Sequence, residues 1–279
     1  MSKRNQVKVK DLLEQLDKKI EGIKSSDEMK EVLSFYSQFH DYSHNNKLLI
    51  LLQFPDATRV AGYRQWQKLG RQVKKGERGI RILAPFTYLK KKKERDEETG
   101  QIIEKKTRGI YFRPVAVFDI SQTEGEAVPE LDVSLEDNFS QLLTPLKGFC
   151  REQGIEVKFT RLKKRIHGLS RGGEIAINNR YNSTEQAVTL VHELAHELLH
   201  AKKECRKLSR EVREMEAEAV AFVVMHHYQR QIKSERYLAL YKKSYDLKKS
   251  LSRISRVAGD IISYTRTWFR EEASLTAAV

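Results

Sequence analysis

The segment from Leu190 to His200 constrains the fold more than any other, because it places two imidazoles four residues apart with a carboxylate beside the first. This spacing puts His192 and His196 on one face of a helix, one turn apart, so both rings can reach a single tetrahedral Zn²⁺. Glu193 then lies beside the open coordination position, where it can take a proton from water. This HExxH pattern predicts the active-site helix of a zinc peptidase.

Neither chance nor a solvent-facing pair explains this pattern well, and the alternative to a zinc site is a pair of core histidines with satisfied hydrogen bonds. With 8 His and 27 Glu in 279 residues, only about 0.02 accidental matches are expected. His200 extends the same face by one more turn, about 12 Å from the first histidine along the helix, which is too far for the same metal. We interpret it as a helix-end residue or one behind the ligands. Apolar residues make the helix buried, namely Val188, Leu190, Val191, Leu194, Ala195, Leu198 and Leu199.

Residues 213–222 supply candidates for a third metal ligand on a second helix with an apolar stripe. Glu214 and Glu218 are four residues apart and share a face with small or flexible side chains, which lets two helices approach closely. We assign Glu214 to the metal and Glu218 to the outer N–H of a ligand histidine, an arrangement typical of zinc sites. Glu216 points elsewhere. The alternative for each of these residues is a solvated charge.

A strand is predicted over residues 172–179, where Ile175 and Ile177 alternate with other residues. Peptidases of this class hold the substrate backbone against an edge strand beside the active-site helix, using main-chain groups. We therefore expect this strand to be that edge. Tyr181, in the following loop, is a weaker candidate for an oxyanion donor.

The positive charge of the chain is concentrated in its first half. Residues 1–120 hold 26 Lys and Arg against 16 Asp and Glu, and residues 59–95 hold 13 against 2, a net charge of +11. Basic groups neutralise phosphates, and the interleaved aromatic rings of Tyr63, Trp66, Phe86 and Tyr88 stack bases, so a single-stranded nucleic acid is the expected partner. A solvated face is the alternative, and it explains Lys90–Lys93 well. The DNA-binding candidates are Arg59, Tyr63, Arg64, Trp66, Arg71, Lys74, Lys75, Arg78 and Arg81.

The remaining patterns define the organisation of the chain. Helical spacing from Val9 to Ile23 and a second helix over 27–39 precede strands over 80–89 and 109–118, with residues 90–107 as a charged hairpin tip. One or two amphipathic helices are expected over 234–265. We place a domain boundary near residue 125, where the composition becomes acidic and linker-like. The fold class is α+β, with a mainly helical second domain that carries a small sheet.

Two further features bear on location. The chain has no apolar run approaching 18 residues and no apolar core of a secretion signal at its start, so we expect a cytoplasmic protein that does not enter a membrane. Cys150 and Cys205 are 55 positions apart without a CxxC pair, which favours reduced thiols.

Several strings resemble the ArdC antirestriction family of plasmids and other mobile elements. They are residues 42–50 (YSHNNKLLI), 62–66, 69–71, 73–80 (VKKGERGI) and 117–125 (VFDISQTEG). The resemblance implies a single-stranded-DNA-binding domain over residues 1–125 and a zincin-like metallopeptidase domain over 126–279, in a protein that guards incoming DNA from host restriction. It adds Asn45 and Asn46 to the DNA-binding candidates.

The resemblance also bears on the third ligand. Related zincins have Glu-x-x-Ala-acid after HExxH, which matches Glu214 to Glu218. A pattern similar to ImmA and IrrE can instead be fitted from Glu216, and the sequence leaves both registers open. We expect Zn²⁺ as the cofactor, with single-stranded DNA and a protein substrate as partners. Two alternative functions remain: a non-catalytic protein that coats DNA, and an ImmA-like peptidase that cleaves one regulator.

Overall fold

Residues near the N-terminus divide between two structural units. The computed structural model describes residues 3–23, 25–95, 102–128, 139–200, 208–228 and 246–276. One unit comprises residues 1–19 and 48–127, and the other comprises residues 20–47 and 128–279. The boundary predicted near residue 125 lies close to the change of unit at residues 127–128, and residues 20–47 belong to the second unit because they pack with helices that are distant in sequence. The predicted mixture of helix and sheet is confirmed.

The helices and strands follow one another along the chain in an α+β order. They are α1 (Lys3–Gly22), α2 (Ser26–Gln38), α3 (His44–Gln53), β1 (Val60–Gly62), α4 (Tyr63–Lys68), β2 (Arg71–Val73), β3 (Ile80–Arg95), β4 (Ile102–Asp119), β5 (Thr123–Gly125), α5 (Leu143–Glu152), β6 (Glu156–Thr160), β7 (Gly168–Ser170), β8 (Glu174–Asn178), α6 (Ser183–His200), α7 (Arg210–His227) and α8 (Leu247–Thr276). Short 3₁₀ turns lie at Ile120–Gln122 and Phe139–Leu142.

A long antiparallel hairpin dominates the first unit. Strands β3 and β4 pair from Ile80 opposite Val117 to Arg95 opposite Ile102, and β1 adds to the other edge of β4. The predicted pairing of residues 80–89 with 109–118 is confirmed. Residues 90–95 and 102–107, which we expected in a charged tip, instead continue the ladder. Charged side chains do not prevent this, because the ladder is formed by backbone groups.

Two buried groups hold the first unit together. The Trp66 side chain has no exposed surface, and its indole Nε1 donates to the carbonyl O of Phe118 over 2.9 Å. The Asp119 carboxylate, 1% exposed, accepts from the backbone N–H groups of Thr58, Arg59 and Ser121 over 2.8–2.9 Å. These contacts fasten the loop before β1 and the turn after β4 to the end of the hairpin.

A three-stranded sheet packs against helices α5 and α6 in the second unit. The strand order is β6-β8-β7, with β6 parallel and β7 antiparallel to β8. The strand predicted over 172–179 is therefore the central strand β8 and not an edge, because both of its sides are already paired. The edge beside α6 is β7. Its three residues are too few to give a periodic sequence signal.

Apolar periodicity explains the long helix α8. Its buried residues recur at helical spacing and form one face, while the opposite face is charged. The helices expected over 234–265 correspond here to one helix beginning at Leu247, and residues 234–245 lie outside the described part of the chain. The buried face consists of Leu251, Ile254, Val257, Ala258, Ile261 and Ile262.

The expectations about membrane segments and cysteine thiols can be compared with the described residues. Within them, no helix is both long and apolar enough to cross a bilayer. Cys150 is buried and carries a free thiol, whose pKa burial raises to about 12. Cys205 lies outside the described part of the chain.

We expect Asp119→Ala to destabilise the first unit by about 1–3 kcal/mol, because the backbone N–H groups of Thr58, Arg59 and Ser121 would then lose their shared acceptor. Urea unfolding can be followed through Trp66 in a Trp268→Phe background, which leaves one tryptophan. The exposed Glu124→Ala on β5 is the control and should change the unfolding free energy by less than about 0.5 kcal/mol. Equal stability of the two variants would show that the carboxylate does not fasten these segments.

Candidate metal centre and basic surface

Helix α6 brings two imidazoles to one point. Its apolar residues, including Val191, Leu194 and Ala195, are buried, so its polar face is turned toward a cleft of about 890 Å³. His192 and His196 lie on that face, with their Nε2 atoms 3.1 Å apart. The four-residue spacing thus produces the convergence expected of two ligands of one ion.

Helix α7 supplies carboxylates to both sides of His192. Glu214 Oε2 lies 3.6 Å from Nε2 of His192 and 3.6 Å from Nε2 of His196. The ligand atoms of these three residues all lie within 4.8 Å of one another. Glu218 Oε2 lies 3.3 Å from Nδ1 of His192, on the outer side of that ring. The structure therefore brings together the residues assigned to the metal and to the outer N–H.

The electrostatics of this cluster favour a cation at its centre. Burial opposes a charged His192, but hydrogen bonds to Glu214 and Glu218 outweigh it and raise the pKa of His192 to about 9. Burial and the charge of His192 lower the pKa of His196 to about 4. The hydrogen bond from His192 lowers the pKa of Glu214 to about 2. The raised pKa means that His192 holds a proton on the nitrogen that faces Glu214, and a divalent ion would replace that proton. Two imidazoles with one carboxylate are a donor set that fits Zn²⁺.

Glu193 faces the same cleft from the helix position after His192. Burial raises the pKa of the Glu193 carboxyl above its usual value. Strand β7 passes close to it at Gly168, where an added Cβ would lie 2.8 Å from Glu193 Cγ and 2.9 Å from its Oε1. Glycine at 168 is therefore needed for the edge strand and the Glu193 carboxylate to occupy their observed places.

A carboxylate that the sequence did not reveal holds β7 against α6. Glu197, 7% exposed, accepts from Ser170 Oγ over 2.6 Å and from the backbone N–H groups of Gly172 and Gly173 over 2.8 Å each. These contacts bind the turn between β7 and β8 to the helix that carries the histidines. The only sequence signal was an acid directly after His196, whose partners lie 24 to 27 residues earlier in the chain.

A second chain of contacts runs behind His196. Its Nδ1 lies 3.3 Å from Nδ1 of His200, and Nε2 of His200 lies 3.0 Å from Glu216 Oε2. Glu216 has no exposed surface, and its Oε1 accepts from Ser250 Oγ over 2.5 Å and from the Arg253 guanidinium. Glu216 is thus bound away from the candidate metal site of His192, His196 and Glu214. The alternative alignment of the sequence, in which Glu216 is the third ligand, gains no support from this geometry.

The orientation of His200 matches a metal on Nε2 of His196. With that nitrogen bound, Nδ1 of His196 carries the proton and can donate to His200, which in turn donates through Nε2 to Glu216. Tyr181, considered above as an oxyanion donor, stacks on His167 with ring centroids 4.0 Å apart. His167 lines the cleft, and Tyr181 is not among the residues that line it.

The basic candidates of the first unit divide into exposed and structural residues. Trp66 was expected to stack bases, but this is wrong in the observed fold, because its ring is wholly buried. Arg71 donates to Thr123 and to carbonyl groups of residues 123, 125 and 126, and Lys74 donates to the carbonyl O of Ser121. Arg59 is half-buried. The exposed members are Tyr63, Arg64, Lys74, Lys75, Arg78 and Arg81, of which Lys74 is exposed although it makes this contact with Ser121.

Asn45 and Asn46 do not lie in the unit that holds this basic window. They occupy the first turn of α3, in the second unit, where Asn46 is buried. Lys47 next to them is 1% exposed and donates to Ser255 Oγ over 2.9 Å, and burial lowers its pKa to about 8. This part of the 42–50 motif therefore packs against α8. The expected DNA contact is wrong for Asn46, because its side chain is buried.

We expect the contacts behind His196 to affect metal affinity. His200→Phe keeps the ring volume but removes both nitrogens, and it should weaken Zn²⁺ binding about 10- to 100-fold in a chelator competition. His200→Gln can still accept and donate, so it should retain more of the affinity. Circular dichroism establishes that both variants are folded. Parental affinity in His200→Phe would show that the contacts stabilise the helices without acting on the metal.

Two family models match different parts of the chain. Residues 6–118 match the model of the N-terminal domain of anti-restriction factor ArdC, and residues 150–247 match the IrrE N-terminal-like domain of peptidase family M78. A Bacillus anthracis protein is 27% identical over 73% of this chain and 41% of its own length. Protein y4eC of Sinorhizobium fredii is 31% identical over 34% of this chain and 30% of its own. The chain thus spans less than half the length of these relatives.

Two solved structures are also similar. They are the metal-free and Mn(II)-bound crystal structures of antirestriction protein ArdC from plasmid R388. Identity is 18% and 17%, TM-scores are 0.40 and 0.41, and the matches cover 81% and 80% of this chain and 85% of that one. The two domain matches, in this order along the sequence, make the chain ArdC-like: an ArdC-type N-terminal domain over residues 6–118 is followed by a peptidase-like domain of the IrrE type over residues 150–247.

Proposed function

We propose that this chain is a zinc-dependent peptidase that binds single-stranded DNA through its first unit and protects the DNA of a mobile element from host restriction. The observation that carries the proposal is the convergence of His192, His196 and Glu214, with Glu193 in the same cleft. The ArdC-type domain over residues 6–118 supports the link to DNA protection, since it is the domain named for an anti-restriction factor.

The chemistry follows from the residues of the cleft. A divalent ion held by the two histidines and Glu214 would polarise a peptide carbonyl and make water more acidic. Glu193 takes the proton of the attacking water and passes it to the leaving amine. Burial raises the pKa of the Glu193 carboxyl, which favours its holding the proton between the two steps.

Strand β7 offers a place for the substrate backbone. It is the edge of its sheet, and Gly168, Leu169 and Ser170 all line the cleft that contains Glu193. An extended peptide can add to such an edge through main-chain hydrogen bonds. Glu197 keeps that edge at a fixed distance from α6, so the peptide would lie alongside the metal ligands.

The role of the first unit rests on its charge and exposed rings. Residues 59–95 carry a net charge of +11, and the exposed members of that window include Tyr63, Arg64 and Arg78. Phosphate neutralisation releases counterions, and aromatic faces stack unpaired bases. Nucleic acid with unpaired bases fits both features better than a duplex does.

We expect Glu193→Gln to abolish peptide hydrolysis, because an amide cannot take the proton from water, while Zn²⁺ and DNA binding stay unchanged. Casein cleavage and self-cleavage measure the first property, and metal analysis and fluorescence anisotropy measure the others. Glu185→Gln, the same change on the same helix but outside the cleft, is the control and should cleave normally. Cleavage by Glu193→Gln at the parental rate would exclude the proposed mechanism.

The same variant separates two explanations of protection. If hydrolysis is needed, Glu193→Gln should no longer shield a transferred plasmid from a restriction enzyme, whereas Glu185→Gln should. Full protection by Glu193→Gln would favour a protein that coats DNA without cutting a substrate.

We expect affinity for single-stranded DNA to depend strongly on salt. Changing Arg64, Lys75 and Arg78 together to Gln should lower the slope of log K against log salt concentration by about 2, because each phosphate neutralised on a single strand contributes about 0.7 to that slope. The control is the same change at Arg161, Lys163 and Lys164, which are also exposed but lie in the second unit. If both triple variants lower the slope equally, the basic window of the first unit is not the binding surface.

A further inference from the structure

One face of the β3–β4 hairpin carries a row of three aromatic rings, which we call the aromatic face. Its members are Phe86, Tyr88 and Tyr111. The ring centroid of Tyr111 lies 5.9 Å from that of Phe86 and 5.9 Å from that of Tyr88. Tyr88 is 46% exposed and the other two are half-buried. The three rings therefore form a row of neighbouring, mutually tilted rings, of which Tyr88 is the most exposed.

The register of the hairpin explains how this surface is built. Phe86 pairs with Tyr111 and Tyr88 pairs with Gly109, so all of them share one side of the sheet. A Cβ added at Gly109 would lie 2.5 Å from Cζ of Tyr88 and 2.8 Å from its hydroxyl O. Gly109 thus leaves the space over which the Tyr88 ring lies. Any larger residue at 109 would push that ring away from its position beside Tyr111.

Cations flank the rings along the same face. At the inner end, Arg113 pairs with Ala84, and its guanidinium carbon lies 3.5 Å from the centre of the Phe86 ring. Beyond Tyr88, toward the tip, Lys90 is the next residue of β3 on this side. Arg113 and Lys90 are both exposed. The arrangement places charge for phosphates at both ends of a stretch of π surface for bases.

We propose that the aromatic face is the base-stacking site for an unpaired nucleic-acid strand. The inference rests on the proposed function and replaces the buried Trp66 with rings that are accessible. Stacking on Tyr88 and Tyr111 requires bases that are not already stacked on their neighbours, which a duplex does not offer. Charge complementarity favours this occupant over an apolar peptide, since Arg113 and Lys90 bracket the rings.

The opposite face of the hairpin provides a matched control. It exposes Leu89, Ile110 and Phe112 by 66%, 65% and 50%, so the two faces share strands and register, and the control face is the more exposed of the two. They differ in that only the aromatic face has its rings in mutual contact among the described residues. Substitutions on the two faces therefore test the position of the bases while holding the hairpin constant.

The experiment measures binding of the full chain to a labelled single strand of about 15 nucleotides, a length in the range of known single-strand sites. Tyr88→Ala with Tyr111→Ala should weaken binding about tenfold or more, because the bases can no longer stack on the two rings. The salt slope should not change, because every phosphate contact is kept. Ile110→Ala with Phe112→Ala on the opposite face should bind like the parent.

Two further measurements distinguish stacking from a general effect on folding. Tyr88→Phe keeps the π face and should bind normally, whereas Gly109→Ala displaces the Tyr88 ring and should bind weakly although it removes no ring or charge. With an abasic strand of equal length, the parent and Tyr88→Ala should bind equally. Parental affinity of the double tyrosine variant for the normal strand would overturn the inference. Absence of DNA binding by the parent chain would overturn the proposed function itself.

Discussion

The carboxylate of Glu216 lies inside the second unit with no exposure to solvent. Removing such a charge from water costs several kcal/mol unless donors surround it. The donors here come from two other helices: His200 on α6, and Ser250 and Arg253 on α8. Because one small group must meet all of them, α7 can neither rotate nor slide without leaving a buried charge unpaired. The position of α7 against α6 is fixed by this requirement.

The candidate metal site depends on this fixed position of α7 against α6. Glu214 and Glu218 lie two residues before and two after Glu216 on α7, and they approach the two nitrogens of His192 at 3.6 and 3.3 Å. A shift of α7 by one residue would move both carboxylates by about 1.5 Å along the axis and turn them by about 100°. The residue that competed in the sequence for the role of ligand thus has another task, which is to align its neighbours.

Local spacing made part of this site predictable. His192, Glu193 and His196 lie within five consecutive residues, and Glu214 and Glu218 within another five, so helix geometry alone brings each group to one face. The antiparallel pairing of β3 and β4 was equally local. Glu197 could not be interpreted in this way, because its partners are backbone N–H groups in a turn more than twenty residues away, and any sequence can supply such groups.

Long-range packing explains where the structure differs from the expectations for Trp66, residues 20–47 and β8. Trp66 lies among basic residues in the sequence, but a large ring gains more from full burial than from exposure. Residues 20–47 join the second unit through contacts such as that between the Ser37 carbonyl O and His227 Nδ1, 2.8 Å apart and 190 positions distant. The central place of β8 followed from two pairings, and its own alternating sequence is equally typical of an edge strand.

The brevity of β7 has a consequence for selectivity. Only three residues form this edge, and one of them is the glycine that passes beside Glu193. A strand of that length offers main-chain groups to a short stretch of polypeptide and few side-chain surfaces with which to distinguish one sequence from another. For the proposed peptidase, this edge would favour targets brought close to the cleft, with local concentration in place of sequence recognition along β7.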